Sequence, residues 1–278
     1  MDQSDGGHPV WREPLKVYWQ PGCTGCLRMK EFLTNHGVEF ISINVLADKE
    51  GCDELVQLAG RRVPIARRGN DWVDGQVLAD LARIAGISLD PREMLSPHDL
   101  ARRVDVILGA TQRYCAQIPE ASLDQFLPSR PRRYRELIAH IAQIIEAFLD
   151  LVECAKRLEV AAYDQNVPAG ITSGPQLTGF VAAIQERFDR WWLRHGMHAD
   201  FSLQADVYYG RQTLHEFLER STWHACQHTR QLQLVLESLG IAPNGRLIAE
   251  DLAGLPLPSH VWDNELAFAV PGKEAAIA

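Results

Sequence analysis

Two clusters in this 278-residue chain have residue types and spacing that could do chemistry. The first is His224-Ala-Cys-Gln-His228. If that stretch is helical, its two imidazoles stand one turn above each other on the same face. Ring nitrogens placed that way can close on one metal ion. The competing reading is a pair of core histidines satisfied by backbone or by neighbouring carboxylates, and a third ligand elsewhere would decide between the two. The second cluster is Cys23-Thr-Gly-Cys26. Between a strand and a helix, the first sulfur of such a pair lies at the helix N-terminus, where free N–H groups and the dipole favour thiolate. The second sulfur, one turn later, is placed to resolve a mixed disulfide. A zinc half-site is the alternative, but no second cysteine pair follows at a suitable spacing, and Cys52 stands single on a polar helix.

His140 is the candidate for the third ligand. It lies three residues after Leu137 and beside Ile141, on the apolar side of its own helical run. Alone it would read as a satisfied core histidine. With an inward His-x3-His on another helix, three neutral imidazoles could converge and leave positions for water or substrate, as a catalytic metal site requires. His98, His195, His198, His215 and His260 lack such a setting. Cys226 lies two residues from each histidine of the pair and points away from the site.

The elements that must position these groups fall into two patterns. Leu15–Trp19 reads as a buried strand before the cysteines. Leu27 to His36 reads as a helix, Val38 to Val45 as a strand, and Lys49 to Ala59 as a polar helix. Ile65 to Val73 is hairpin-like, and Gln76 to Ala85 closes the unit as a helix. This βαβαββα order over residues 15–86 predicts a small α/β domain, preceded by a loose extension over residues 1–14. Pro91, Pro97 and no sustained periodicity mark residues 87–96 as a linker, and Ser96-Pro97 with Asp99 is a good helix start. Beyond it, apolar stripes predict helices over Leu100–Cys115, Arg132–Leu158, Gln176–His195 and Arg211–Ser238, hence an all-α up-down four-helix bundle over 97–265. Residues 266–278 are left as a C-terminal tail.

Composition is that of a globular protein, with 46% hydrophobic and 23% charged residues. The formal net charge of −8 does not imply a phosphate-binding surface. The basic run Arg130–Arg135 has little aromatic interleaving and opens a helix, so no nucleic-acid partner is expected. Met1 to Gly7 is acidic and polar, unlike a secretory signal. The most apolar stretch, Leu137 to Val152, is broken by His140, Gln143, Glu146 and Asp150, so no membrane span is expected either. The location expected by default is cytoplasmic, where the six cysteines would be reduced, catalytic or metal-linked rather than structural bridges.

Residues 15–86 resemble a glutaredoxin, a thioredoxin-like fold, in Cys23-Thr-Gly-Cys26 after the first strand and in Val63-Pro64, where that family has a Val-Pro whose proline is normally cis and faces the cysteines. The resemblance implies Cys23 as nucleophile, Cys26 as resolving thiol, and Val63, Pro64 and Gly75 as the thiol-binding positions, Asp74-Gly75 falling at the family's Gly-Gly turn. Gln20 replaces the family's lysine before the nucleophile. Val77 and Leu78 stand where acidic residues normally hold the amine end of glutathione. The implied partner is thus a low-molecular-weight thiol, with glutathione as one candidate.

Residues 97–265 resemble the DinB/YfiT-like metal-binding four-helix bundles. That likeness rests on Leu137-x-x-His-Ile141, on Thr222-Trp-His-Ala-Cys-Gln-His-Thr-Arg-Gln231, on Leu236-Glu-Ser-Leu-Gly240 and on Leu255-Pro-Leu-Pro-Ser-His-Val-Trp262. It implies His140, His224 and His228 as ligands of a divalent transition metal (zinc, nickel or iron). It also implies thiol-dependent chemistry, since better-understood members are thiol transferases and a thiol-dependent isomerase. Bundles of that family often pair through helix faces, so a homodimer is among the expected assemblies.

Together these features lead to a metal- and thiol-dependent enzyme joining a small-molecule electrophile to a thiol. Its reaction would be S-transfer, dehalogenation or isomerisation, with the N-terminal domain recycling sulfur. Gln227, Gln231 and Arg220 are possible assistants, read as surface or supporting groups, and Trp191, Trp192 and Trp223 as packing residues rather than a substrate cavity. The other reading is a redox-responsive metal-binding module without turnover. The two differ in whether the metal keeps an open position.

Overall fold

Alternation along Leu15–Trp19 (β1) sends Leu15, Val17 and Trp19 to one face of a sheet and Tyr18 to the other. The structure, a computed structural model, describes residues 13–59, 62–89, 93–128, 131–163 and 166–262. Most of the expected extension and all of the expected tail therefore lie outside the described residues. The chain divides into two compact units with a boundary between Arg92 and Glu93.

In the first unit, β1 is followed by α1 (Thr24–Asn35), β2 (Phe40–Asn44), α2 (Lys49–Ala59), β3 (Ile65–Arg68), β4 (Asp71–Asp74) and α3 (Leu78–Ala85). The sheet order is β2-β1-β3-β4. β1 pairs parallel with β2 through the α1 crossover, because parallel neighbours need a long return. It pairs antiparallel with β3, which forms a hairpin with β4. Leu15, Val17 and Trp19 pack with Met29 and Leu33 of α1 and Leu81 and Ile84 of α3. Tyr18, Ile43 and Ile65 meet Leu55 of α2 on the opposite face. This is a thioredoxin-like mixed sheet with helices on both sides.

The second unit is helical. Four long helices, α4 (Pro97–Gln117), α5 (Tyr134–Cys154), α6 (Gly174–Arg194) and α7 (Leu214–Ser238), share one core, with a hairpin of β5 (Gln204–Val207) and β6 (Gly210–Thr213) before α7 and a short α8 (Ala249–Leu252) after it. Ser96 Oγ accepts from the Asp99 N–H at the start of α4, as its Ser-Pro start predicts. Both α4 and α5 pack on α6 and on α7 but touch each other little, so the order around the core is α4-α6-α5-α7. Consecutive α4 and α5 therefore stand diagonally, which departs from the simple up-down wrap expected of a bundle with neighbour-to-neighbour turns.

Two element boundaries also differ from expectation. The stretch expected to be a polar connection running into a helix at Arg211 is the β5–β6 hairpin, with Tyr208 and Tyr209 at its turn. The helix begins only at Leu214, where Thr213 and Glu216 close a capping box: the Thr213 N–H donates to Glu216 Oε2 at 2.7 Å and the Glu216 N–H to Thr213 Oγ1 at 3.1 Å. Likewise α5 ends at Cys154 rather than at Leu158, because Ala155 turns left-handed at φ 52°.

α7 is buried on every side from Phe217 to Thr229, although its sequence is rich in polar residues. Several of those groups are satisfied internally. Thr222 Oγ1 donates to the Leu218 carbonyl, and Thr229 Oγ1 bonds both the Ala225 carbonyl and Thr111 Oγ1 of α4. Gln233 Oε1 accepts from Tyr114 of α4 and from the Leu247 N–H. Hydrogen bonding of this kind removes most of the cost of burying hydroxyls and amides.

Candidate functional site

The first unit places Cys23 at the N-cap of α1, half-exposed, and Cys26 one turn inside it, fully buried. The two are joined as a disulfide with Cα atoms 5.2 Å apart. The Cys26 N–H also points at Cys23 Sγ, at 3.2 Å. A backbone donor aimed at that sulfur is what stabilises a thiolate when the bond opens. Of the two residues, only Cys23 keeps any exposure to solvent.

Pro64, after a cis Val63–Pro64 bond, lies against the first turn of α1; a Cβ on Gly25 would sit 3.3 Å from Pro64 Cδ. The Gly75 N–H donates to the Pro64 carbonyl at 3.0 Å. A Cβ at Gly75 would collide with Met29 Sδ and come within 3.2 Å of Pro64 Cβ, so a side chain there would force Met29 to move. Asp74 Oδ1 accepts the Gln76 N–H at 3.0 Å and holds this turn. Val63, Pro64 and Gly75 are therefore brought to the helix end that carries the cysteines.

In the second unit, α5 and α7 bring His140, His224 and His228 together. Their ring centroids are 5.5 Å (His140–His224), 4.8 Å (His140–His228) and 5.0 Å (His224–His228) apart. One nitrogen from each can be chosen so that all three lie within 4.8 Å of one another, and all three residues are buried. Among the described residues no other His, Cys, Asp or Glu joins this group. Three buried imidazoles gathered in this way are a candidate site for a transition metal, since nitrogen donors suit zinc, nickel and iron. His228 Nδ1 is 2.7 Å from Gln231 Oε1.

The surroundings of the triad combine aromatic and cationic groups. The Tyr163 ring stands edge-on to His140 at 5.9 Å and to His224 at 5.4 Å. Its hydroxyl accepts from Arg220 at 3.0 Å, and burial pushes its pKa up to about 12, the nearby Arg220 charge opposing that rise. Arg220 also donates to the Tyr208 hydroxyl at 3.1 Å and lies 4.5 Å over the Tyr209 ring. Arg220 was read from sequence as a surface or supporting group; it is 8% exposed and built into the wall behind the histidines. Tyr163 and Tyr208 escaped the sequence reading altogether, since a short 3-10 turn and a hairpin tip carry no periodic signal.

The remaining candidates sort themselves by contact. Gln227 faces residues 258–262, with its amide on the carbonyls of His260 and Val261. Cys226 is buried on another side of α7, and burial pushes its thiol up to about 12. His215 turns to the Leu95 carbonyl at 2.8 Å. Trp191 packs on Phe148 and Phe188, and Trp223 is buried beside His224.

Comparison with known proteins bears on the first unit. Residues 15–70 match the glutaredoxin family, which supports a thioredoxin-like fold and thiol-related chemistry there. The Gene 56 protein of Mycobacterium phage L5 is 38% identical over 63 residues, which is 22% of this chain and 61% of that protein. The chain thus spans less than two thirds of that relative. A solved structure of glutathione S-transferase-I bound with the ligand lactoylglutathione aligns over 81% of this chain and 88% of its own at 12% identity, with a TM-score of 0.28. A superposition that poor carries no argument about fold or ligand. Among the described residues, no helix is long and apolar enough to cross a membrane.

Proposed function

We propose that this chain is a metal- and thiol-dependent enzyme of the S-transferase, dehalogenase or isomerase type, with thiol–disulfide exchange built into its N-terminal domain. The observation that carries the reading is the joint presence of a half-exposed and a buried cysteine at a helix N-terminus and three buried imidazoles with neighbouring nitrogens. The glutaredoxin match supports the first half. The resemblance of residues 97–265 to DinB/YfiT-like bundles is the ground for the second half.

In the first domain, the Cys23 thiolate attacks one sulfur of a mixed or low-molecular-weight disulfide and expels the other as thiolate. Cys26 then attacks Cys23, releasing the second thiol and leaving the Cys23–Cys26 disulfide. Two electrons pass from the protein to the substrate. Val63, Pro64 and Gly75, beside the first turn of α1, are the positions at which the partner thiol would bind. A low-molecular-weight thiol, glutathione or another, is the partner that the glutaredoxin match supports.

In the second domain, His140, His224 and His228 would hold a divalent transition metal such as zinc, nickel or iron. Three imidazoles match the donor number of catalytic sites, which leave a position for water or substrate. The metal would supply thiolate activation and polarisation of an electrophile. Burial of the three histidines excludes bulk water from their nitrogens, and the Arg220–Tyr163 pair presents a positive, aromatic wall suited to an anionic or polarised small molecule.

The test is thiol consumption with a panel of electrophiles, comparing the metal-loaded wild type with His228→Ala. The proposal expects metal-dependent turnover that the variant loses. Bound metal and active disulfide exchange with no turnover on any electrophile would instead favour a redox-responsive metal-binding module.

A further inference from the structure

The turn of α7 that carries His228 also holds the last described segment of the chain. Arg230 donates to the Pro258 carbonyl at 2.9 Å and to the Ser259 carbonyl at 3.1 Å. Gln227 donates to the carbonyls of His260 and Val261 at 3.0 and 3.1 Å. Gln231 Nε2 donates to the Val261 carbonyl at 3.2 Å. Successive carbonyls from 258 to 261 are thus captured by three side chains of one helical turn.

Of these, Gln231 has a second contact, and the two together fix a proton. The Val261 carbonyl only accepts, so the Gln231 amide must turn its NH2 toward it. Its Oε1 then faces His228 Nδ1 at 2.7 Å. An amide oxygen also only accepts, so Nδ1 must carry the hydrogen. The neutral His228 ring is thereby held as the Nδ1–H tautomer, with the lone pair on Nε2. We infer that Gln231 is a positioning residue that sets the tautomer of His228, and that the 258–261 strap acts on the histidine cluster through it. The strap orients the amide, the amide places the proton, and the proton decides which nitrogen can bind. This is the relation by which groups outside a ligand set commonly orient a ligating histidine and raise its affinity. The inference deepens the metal reading and rests on it for its effect on affinity; the tautomer itself does not.

The experiment therefore has two readouts. Zinc affinity is measured by competition with a chromophoric chelator for the full-length wild type, Gln231→Leu, Gln231→Glu, Arg230→Met and the double variant Arg230→Met/Gln231→Leu, with circular dichroism confirming the fold. Gln231→Leu is expected to bind zinc roughly ten- to hundred-fold more weakly. Gln231→Glu keeps the acceptor for Nδ1–H and should stay close to wild type. Arg230→Met loosens the strap and should weaken zinc in the wild-type background but add nothing to Gln231→Leu, because both act through one amide. A folded Gln231→Leu that binds zinc as tightly as wild type, or an Arg230→Met effect of equal size in both backgrounds, would overturn the inference. Second, long-range 15N–1H correlation of the metal-free protein reads the His228 tautomer directly. Nδ1–H in the wild type, lost in Gln231→Leu, is expected, and Nε2–H in the wild type would overturn it. Absence of zinc binding by the wild type would sink the metal reading and leave this tautomer result to decide the inference.

Discussion

Cys23 and Cys26 meet because one turn of one helix puts them together. His140 reaches His224 and His228 only because α5 packs against α7. The first site needs a strand-to-helix turn and a proline strand edge, both formed within residues 15–75. The second exists only when the helical core is assembled, and it draws on the hairpin that precedes α7 and on residues 260–261 beyond it. A local site tolerates loss of distant packing, whereas an assembled one should be lost with it. The difference also decides how each unit handles polarity: the first leaves its reactive sulfur half-exposed at a helix end, while the second buries imidazoles, a guanidinium and amides in a hydrogen-bonded interior.

The largest effect that could break this comparison is chemical. Cys23→Ser is expected to abolish disulfide exchange in a reductase assay while the metal content of the helical unit stays at the wild-type level. Exchange that survives would remove Cys23 from the role of nucleophile, and a fall in metal would show that the two sites are not independent.

A smaller effect sharpens the comparison by acting on assembly alone. Thr213→Ala removes the Oγ1 acceptor of the Glu216 N–H and the hydroxyl bonded to Glu216 Oε2. Such a cap is worth about 1 kcal/mol. Hydrogen exchange resolved by unit should show α7 and its neighbours opening more easily and the first unit unchanged. Equal loosening of both would contradict two separately cooperative units.

The smallest expected effect concerns pH in the first unit. The Tyr18 hydroxyl, at 2.5 Å, and then Lys16 hold the Glu54 carboxyl below its ordinary range. Burial, with Glu54 adding to it, pushes Tyr18 up to about 12. A carboxylate whose folded pKa is depressed stabilises the fold above its unfolded value, about 4.3, and loses that contribution as pH falls through the folded value. Glu54→Gln should therefore flatten the acid limb of this unit's stability profile, and the two proteins should converge at low pH. Parallel profiles across the acid range would remove Glu54 from the account.

The contrast between the units also explains what could be read from the chain alone. The cysteine motif, the strand before it and the Val63-Pro64 edge are contiguous patterns, and the structure has them where the residues imply. The helical stripes of α4, α5 and α6 were legible within a few residues. The closeness of His140 to the α7 pair was legible because each lay on the apolar side of its own helix. What escaped was set by tertiary context. The ring order α4-α6-α5-α7 depends on long connections whose course no periodicity records. Tyr163 and Tyr208 lie on a 3-10 turn and a hairpin tip, and Arg220 looks like a solvated charge until those tyrosines arrive. One miss had a usable signal: Thr213-Leu-His-Glu216 is a capping box and places the start of α7 without any structure.

The three histidines of the helical unit are proposed as a metal site. The most direct test of that proposal is elemental analysis of protein purified without added metal, wild type beside His224→Ala. About one equivalent of a divalent transition metal is expected in the wild type, consistent with a single three-imidazole cluster, and its loss in the variant. No metal in either protein, or full retention in His224→Ala, would contradict the proposal.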